Sequence, residues 1–212
     1  MTAPKNLKRK QRPKTDASRS SEMRDHVLDC ALTIFAEKGY AATSVRDIIH
    51  AAGVTQPTLY YYFEGKLGLF LELLSVKYEA SLRELQSSIS EVQGCREQLH
   101  SIMLQSFSYC SADVRVPRLM FQTAYGPDIP GVTEQLERLG NERFDLVKSV
   151  IAQGIAAGEL PQSSVDGLAL AFCCLMDQHI NVLSRLNDSP SKLTPQLADW
   201  LVDLFFQGAL SA

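Results

Sequence analysis

The chain has 212 residues, 45% of them hydrophobic, and a formal net charge of -3, which allows one large domain or two small ones with a sizeable core. Its longest unbroken apolar run, residues 168–176, has nine residues, whereas a membrane span needs about 20, and no apolar segment follows the basic N-terminus as in a signal peptide. We therefore expect a cytoplasmic globular protein with no membrane partner.

Charge is distributed unevenly along the chain. Residues 1–67 carry 11 Lys and Arg against 7 Asp and Glu, whereas residues 68–212 carry 10 against 17. A basic N-terminal third joined to an acidic remainder is typical of a nucleic-acid-binding module attached to a part that does not bind nucleic acid. Residues 1–20 are almost free of apolar side chains and are predicted to be a disordered tail. This tail either contacts DNA or is only a solvated extension.

The first helix is predicted from an apolar stripe at three- and four-residue spacings. It begins at Ser20 or Ser21 and ends at Lys38, where Gly39 is a natural stop. One face of this helix needs an apolar partner, which the following segment supplies.

Residues 44–66 contain two short helices joined by a tight turn. Ser44, with Asp47 three residues later, resembles a capping box, and Gly53 can adopt the positive φ that ends the first of these helices. Thr55 caps the second, whose first turn tolerates Pro57. This layout predicts a helix-turn-helix, in which the second helix enters the major groove of DNA.

The polar side chains of this segment are of types that contact DNA. The Gln56 amide can pair with an adenine edge, Arg46 can reach a guanine edge or a phosphate, and Pro57 can touch a thymine methyl. Hydroxyl and ammonium groups suit phosphate oxygens. The three consecutive tyrosines could instead pack on the first helix, but a seven-residue helix cannot bury every side. The predicted DNA-contacting residues are Ser44, Arg46, Thr55, Gln56, Pro57, Thr58, Tyr60, Tyr61, Tyr62 and Lys66.

The remainder of the chain has a helical period throughout. No segment alternates with period two, so the predicted fold class is all-α, with about nine helices. A basic tail (1–20) precedes a helix-turn-helix domain (21–66) and a helical ligand-binding and dimerisation domain (67–212). The later helices are predicted after Lys66, after Gly94, from 118 to 125, from a cap at Thr133 to Gly158, from 168 to 186 after a cap at Ser163, and after Thr194-Pro195.

Polar residues within apolar helices mark a candidate ligand pocket, because burying them without a partner costs free energy. Each of these residues could equally be an ordinary surface or core residue. The five cysteines lack metal-ligand spacing, and Cys173 and Cys174 fall in the apolar run, so we predict no metal, no cofactor and no redox centre. The predicted pocket residues are His100, Met103, Phe107, Phe121, Gln122, Tyr125, Met176 and Asp177.

The run GYAATSVRDIIHAAGVTQPTLYYYFEGKLGLF, residues 39–70, resembles the DNA-binding domain of the TetR family of bacterial repressors. The resemblance implies a homodimer on a palindromic operator in double-stranded DNA, and a C-terminal domain that senses an unidentified small molecule. It also implies that Arg46, Gln56, Pro57 and Tyr60 lie near bases, and that Ser44, Thr58, Tyr61, Tyr62 and Lys66 lie near phosphates. Glu64-Gly65 departs from the family pattern, so Glu64 is left out of the site.

Two apolar helices at the end of a chain suit a four-helix dimer interface. The residues predicted for it could equally be intrachain core: they are Phe172, His179, Val182, Trp200, Leu204 and Phe205.

The predicted function is a ligand-responsive repressor. One alternative is an enzyme using a Cys and a His, such as Cys110 with His100, although the sequence has no Gly-rich phosphate loop, G-x-S-x-G or HExxH motif. The other alternative is a structural DNA-binding protein without a ligand.

Overall fold

In the computed structural model, residues 16–185 and 192–211 are described. These residues form nine helices and no strands, so the predicted all-α class is confirmed. The helices are α1 (Asp16–Ala42), α2 (Val45–Ala52), α3 (Gln56–Tyr62), α4 (Gly65–Ser90), α5 (Cys95–Ala112), α6 (Arg115–Ala124), α7 (Thr133–Ala156), α8 (Val165–Arg185) and α9 (Pro195–Ser211).

Helix α1 differs from its prediction at its N-terminal end, whereas Gly39 interrupts it where the end was predicted. It begins at Asp16, so residues 16–20 are helical and the predicted tail was too long at its C-terminal side, while residues 1–15 lie outside the described part of the chain. Gly39 has non-helical φ and ψ of 76° and 170°, and a short helical turn follows it. The Thr43 hydroxyl donates to the Gly39 carbonyl at 2.7 Å and closes this turn.

The caps of α2 and α3 are as predicted. Ser44 Oγ accepts from the Asp47 N–H, and the Asp47 carboxylate accepts from the Ser44 N–H at 2.9 Å. The backbone hydrogen bond from Ser44 lowers the pKa of Asp47. Gly53 ends α2 in the left-handed region, and Thr55 Oγ1 accepts from the Thr58 N–H. Two corners of the helix-turn-helix are therefore fixed by contacts three residues apart in sequence.

Two of the predicted caps further along the chain were wrong. Val132 occupies the cap position of α7, and the hydroxyl of Thr133 donates to Asp128 instead. At α8 the capping oxygen belongs to Ser164, which accepts from the Gly167 N–H at 3.1 Å, rather than to Ser163. Adjacent serines offer the same chemistry, and only the path of the backbone decides between them.

Two apolar clusters form the interior. The N-terminal core joins α1, α2 and α3 to the first half of α4, and Phe35 meets Phe70 edge to face at 4.8 Å. The C-terminal core joins the end of α4 to α5, α7, α8 and α9. Helix α6 contributes Val116 and Leu119 to the first cluster and packs Phe121 against the second. The N-terminal core thus extends past the domain boundary predicted after Lys66.

Helix α8 is the one described helix that is long and apolar enough, by length and composition, to cross a membrane. It places Phe172, Met176 and Ile180 in the C-terminal core. This is the position expected of a buried core helix.

A cluster of hydrogen bonds centred on Arg115 connects α6 to α1. Its guanidinium donates to Asp29 Oδ1 and Thr33 Oγ1, each at 2.7 Å, and to Asp113 at 2.7 and 2.9 Å. At the other end of α6, Gln122 Nε2 donates to the Ala36 carbonyl at 3.2 Å. Polar contacts at both ends therefore hold α6 along α1.

Replacing Arg115 tests this connection. We expect Arg115→Met to lower the free energy of unfolding by about 1–3 kcal/mol, because the hydrogen bonds from a charged donor to Asp29, Thr33 and Asp113 are lost. Urea denaturation measures the change. Arg83→Met is the control: its exposed ion pair with Glu79 spans 3.7 Å and its loss should cost under about 0.5 kcal/mol. Equal losses in both variants would contradict the proposed contribution of Arg115.

The same contact predicts a pH dependence. The side-chain hydrogen bond from Arg115 lowers the pKa of Asp113 from its ordinary value of 3.8. A carboxylate with a lowered folded-state pKa stabilises the fold above its unfolded pKa, and this stabilisation is lost as the pH falls through the folded pKa. The stability difference between wild type and Arg115→Met should therefore be constant near neutral pH and shrink below about pH 3.8. A difference that grows on acidification would contradict the ion pair.

Candidate functional site

The face of α3 opposite the N-terminal core is exposed. Leu59 and Phe63 anchor the helix, being 0% and 4% exposed, while Tyr60 and Tyr61 are 52% and 78% exposed. The predicted residues that lie exposed on this surface, at the two helix starts and along α3, are Ser44, Arg46, Thr55, Gln56, Pro57, Tyr60 and Tyr61. A seven-residue helix with its apolar side fixed presents these side chains as a rigid polar and aromatic surface.

Some of the predicted contact hydroxyls already have partners in the protein. Ser44 Oγ lies 2.8 Å from Asp47 Oδ2, and Thr55 Oγ1 lies 2.8 Å from Thr58 Oγ1. Both pairs belong to helix caps. The caps therefore orient these hydroxyls at the helix N-termini, beside the exposed side chains.

Tyr62 and Lys66 lie differently from the surface predicted for them. Tyr62 is half-buried against the N-terminal core, and its hydroxyl accepts from Ser20 Oγ at 3.2 Å. Lys66 Nζ donates to the Tyr40 and Thr43 carbonyls at 3.0 and 2.9 Å, and lies 4.2 Å from the centre of the Tyr40 ring. The ammonium caps carbonyls at the end of α1, which corrects the expectation of a cation free to hold a phosphate.

A cavity of about 220 Å³ lies among α4, α5, α6, α7 and α8. Its walls are mainly apolar and aromatic, with a few polar groups from α4, α5, α7 and α8. The lining residues are Tyr78, Glu79, Ser81, Leu82, Leu85, Ser106, Tyr109, Cys110, Pro117, Met120, Phe121, Ala124, Tyr125, Leu139, Arg143, Asp177 and Ile180.

Of the eight predicted pocket residues, Phe121, Tyr125 and Asp177 line this cavity. Met103, Phe107 and Met176 do not, because they are fully buried in the C-terminal core. The other two are also elsewhere: His100 Nε2 lies 2.7 Å from Asp199 in a separate groove, and Gln122 is bonded to α1. Helical spacing places a residue on the inner face of a helix, but it does not distinguish a packed core from an open cavity.

Arg143 and Asp177 form an ion pair in the cavity wall that the sequence did not indicate. Both guanidinium Nη atoms donate to the Asp177 carboxylate at 2.6 Å. Burial lowers the pKa of Arg143, but the hydrogen bonds and charge of Asp177 together outweigh this effect and raise it. The Nε atom of Arg143 is buried and has no partner among the described residues. This N–H is therefore an unpaired donor on a residue that lines the cavity.

The thiol and phenol groups of α5 in the cavity are protonated at neutral pH. Burial raises the pKa of Cys110 to about 12 and that of Tyr109 to about 12, and Tyr109 donates to the Lys77 carbonyl at 2.8 Å. A thiol with so high a pKa is a poor nucleophile, and His100 lines a different groove. The Cys–His alternative has no geometric support. Among the described residues, no group of three or more His, Cys, Asp and Glu could hold a metal ion.

The predicted dimer residues differ in their exposure. Phe172 and Phe205 are buried and meet edge to face at 5.4 Å within the same chain, so their prediction as interface residues was wrong. His179 is half-buried, with Nδ1 2.7 Å from the Leu175 carbonyl. The exposed predicted residues are Val182, Trp200 and Leu204. The same two helices, α8 and α9, also expose Leu170, Cys174 and Leu210, which the sequence did not single out.

A rigid helix-turn-helix with an exposed second helix, joined to a helical domain that contains a cavity, defines a DNA-binding transcriptional regulator. Residues 27–73 match the model for bacterial regulatory proteins of the tetR family. The resemblance of this segment to the DNA-binding domain of the TetR family is therefore confirmed.

Relatives cover different shares of the chain. The repressor KstR2 of Rhodococcus jostii is 28% identical over 170 residues, 78% of this chain and 80% of KstR2. The probable regulator YttP of Bacillus subtilis is 32% identical over 101 residues, so the chain aligns with only about half (49%) of its length. The structure of Bacillus subtilis FadR with stearoyl-CoA has a TM-score of 0.77 at 20% identity, covering 87% of this chain and 98% of that one. This last likeness concerns the fold.

The contacts of Lys66 predict that its replacement affects stability rather than DNA affinity. We expect Lys66→Met to lower the free energy of unfolding by about 1–3 kcal/mol, because two carbonyls lose a charged donor. Lys38→Met, at an exposed lysine 3.9 Å from Asp47, should change it by under about 0.5 kcal/mol. The salt dependence of DNA binding should be unchanged in Lys66→Met. A fall of about one in that slope would instead indicate a phosphate contact.

Proposed function

We propose that the protein is a dimeric transcriptional repressor of the cytoplasm that binds a palindromic operator and is released by a small molecule held in the cavity among α4–α8. One observation carries this proposal: α6 borders the cavity with Phe121 while Val116 and Leu119 lie in the core that holds the helix-turn-helix. A ligand that displaces α6 therefore acts on the elements that orient α3.

The proposed DNA surface divides between base and backbone contacts. Four exposed side chains at the start of α2 and along α3 are of types that suit base edges. They are Arg46 on α2 and Gln56, Pro57 and Tyr60 on α3. The highly exposed Tyr61 would donate a hydroxyl hydrogen bond to a phosphate, as would Thr58, whose hydroxyl can accept from Thr55. Ser44 would do so once its hydroxyl turns away from Asp47. Two such helices in a dimer would read half-sites separated by about 34–36 Å or a multiple of that distance.

Two substitutions test this division of roles. We expect Gln56→Ala to cost about 1–3 kcal/mol on an operator selected from random duplexes and little on a scrambled duplex, because only base reading is lost. Tyr61→Phe removes one hydroxyl and should weaken binding to both duplexes alike. Fluorescence anisotropy over a range of salt concentrations measures both effects. Gln153→Ala, an exposed glutamine on α7, is the control. Equal losses for Gln56→Ala on both duplexes would contradict base reading.

The proposed dimer interface is the exposed apolar face of α8 and α9. On α8, Leu170, Cys174 and Val182 recur at four- and eight-residue spacings, so they lie on one side of the helix. On α9, Trp200 and Leu204 do the same and are 56% and 43% exposed. Contiguous apolar surface of this kind on a soluble protein indicates an interaction site, and a second copy offers the same face for a self-complementary four-helix contact.

Placing a charge on this face should separate the subunits. We expect Val182→Glu and Leu204→Glu each to give a monomer at micromolar concentration, since an unpaired carboxylate would be buried between the copies. Sedimentation velocity measures the mass, and DNA affinity should fall with it. Val76→Glu, at a valine of α4 that is 40% exposed, is the control and should remain dimeric. Variants that stay dimeric at both positions would place the interface elsewhere.

Filling the cavity should abolish ligand binding. Ala124 lines the cavity at the exposed end of α6, so Ala124→Trp can occupy the space without overpacking the core. Naphthol is a suitable probe because its emission changes on leaving water. We expect the wild type to shift the naphthol emission and Ala124→Trp to lose this shift. Ala112→Trp, at the exposed end of α5, is the matched control and should keep it. An unchanged shift in Ala124→Trp would rule out this cavity as the binding site.

A further inference from the structure

We propose that the effector is a compact, uncharged aromatic molecule with one hydrogen-bond-accepting oxygen, and that Arg143 binds this oxygen. The inference rests on the proposed function only in taking the cavity among α4–α8 as the ligand site. It follows from three properties of the cavity: its size, the shape of its walls and its charge.

The size of the cavity limits the ligand to about two rings. A cavity of about 150 Å³ in another protein accommodates one benzene, and this cavity measures about 220 Å³. A naphthalene-sized skeleton with one small substituent fits this volume. A long acyl chain joined to a nucleotide does not, so the stearoyl-CoA bound in the FadR structure is a poor guide to this effector.

The walls of the cavity favour a flat ring. Phe121 and Tyr125 lie one turn apart on and just after α6, with ring centroids 6.1 Å apart and planes within 6° of parallel. Both rings line the cavity and stack with their planes nearly parallel. Leu82 and Leu139 line the cavity from α4 and α7. A planar aromatic skeleton can stack on the rings and contact the leucines, whereas a bulky saturated skeleton makes less contact with parallel rings.

The charges of the cavity favour a neutral ligand. Arg143 and Asp177 neutralise each other through two hydrogen bonds of 2.6 Å. Glu79, at the exposed side, lies 3.7 Å from Arg83. A ligand with a net charge would therefore enter an apolar site without a counter-charge, at a large desolvation cost. The buried and unpartnered Nε–H of Arg143 instead needs a neutral acceptor such as a ketone or phenol oxygen.

Matched ligands test these three properties. Calorimetry on the full-length protein without DNA measures the affinity for acetonaphthone and for four comparison compounds. Ethylnaphthalene lacks the hydrogen-bond acceptor, naphthoate and naphthylmethylamine are charged, and stearoyl-CoA is larger than the cavity. We expect acetonaphthone to bind about tenfold or more tightly than ethylnaphthalene, because it gains a hydrogen bond from a charged donor, and more tightly than the other three. Tighter binding of any other compound, equal binding of ethylnaphthalene, or no binding at all would overturn the proposal.

A double variant tests the role of Arg143. Removing Arg143 alone leaves Asp177 charged, half-buried and without its partner. Arg143→Met is therefore combined with Asp177→Leu, an exchange of an ion pair for apolar groups that proteins tolerate. We expect acetonaphthone to fall to the affinity of ethylnaphthalene, which itself stays unchanged. The matched control exchanges an exposed ion pair of the same helix, Arg138→Met with Glu142→Leu, and should keep the preference. A preference retained in the Arg143 variant would overturn the assignment.

The same compounds added to the protein–DNA complex separate this proposal from the proposed function. If acetonaphthone binds as expected but does not release DNA, the ligand class stands and the proposed release fails. If DNA binding is intact and none of the compounds binds, the ligand class is wrong, while dimeric operator binding is unaffected.

Discussion

Helix α6 packs against both apolar cores, although it has only ten residues. Val116 and Leu119 pack with the helix-turn-helix, while Phe121 packs against the C-terminal core and borders the cavity. Arg115 and Gln122 bond its two ends to α1. Close-packed interiors transmit displacement because their side chains cannot be compressed. A movement of α6 away from the cavity must therefore either break its contacts with α1 or move α1 with it.

Helix α4 gives the cavity a second connection to the DNA surface. Its first turn carries Lys66, whose ammonium is held by carbonyls at the end of α1, and its C-terminal half carries Tyr78 and Leu82 into the cavity wall. The unexpected position of Lys66 is thus informative. The Lys66 ammonium ties the start of α4 to the corner between α1 and α2. Both α4 and α6 then join the cavity to the helices that support α3.

Contacts between residues close in sequence were predicted correctly, whereas contacts between distant residues were not. Ser44 with Asp47, Gly53 and Thr55 were predicted correctly because caps and turns depend on neighbours within three or four residues. Arg143 and Asp177 are 34 residues apart, and no local pattern pairs them. Phe172 and Phe205 were assigned to a dimer interface because an apolar stripe on a helix is the same whether it packs in the core of its own chain or against a second subunit. The packing of α8 on α9 decides that question.

The neutrality of the cavity also bears on how a ligand could change DNA affinity. A ligand shifts an equilibrium between two conformations only by the difference in its affinity for them. Without a net charge, that difference cannot come from long-range electrostatics, so it has to come from contacts that fit one arrangement of the walls better.

The cavity wall contributed by α6 is the one whose movement also alters the packing on α1. Its residues are Pro117, Met120, Phe121 and Ala124. Arg143 and Asp177 join α7 to α8 through two short hydrogen bonds on another side of the cavity. A ligand anchored there by its oxygen would direct its aromatic part toward α6, and shape rather than charge would then control the release of DNA.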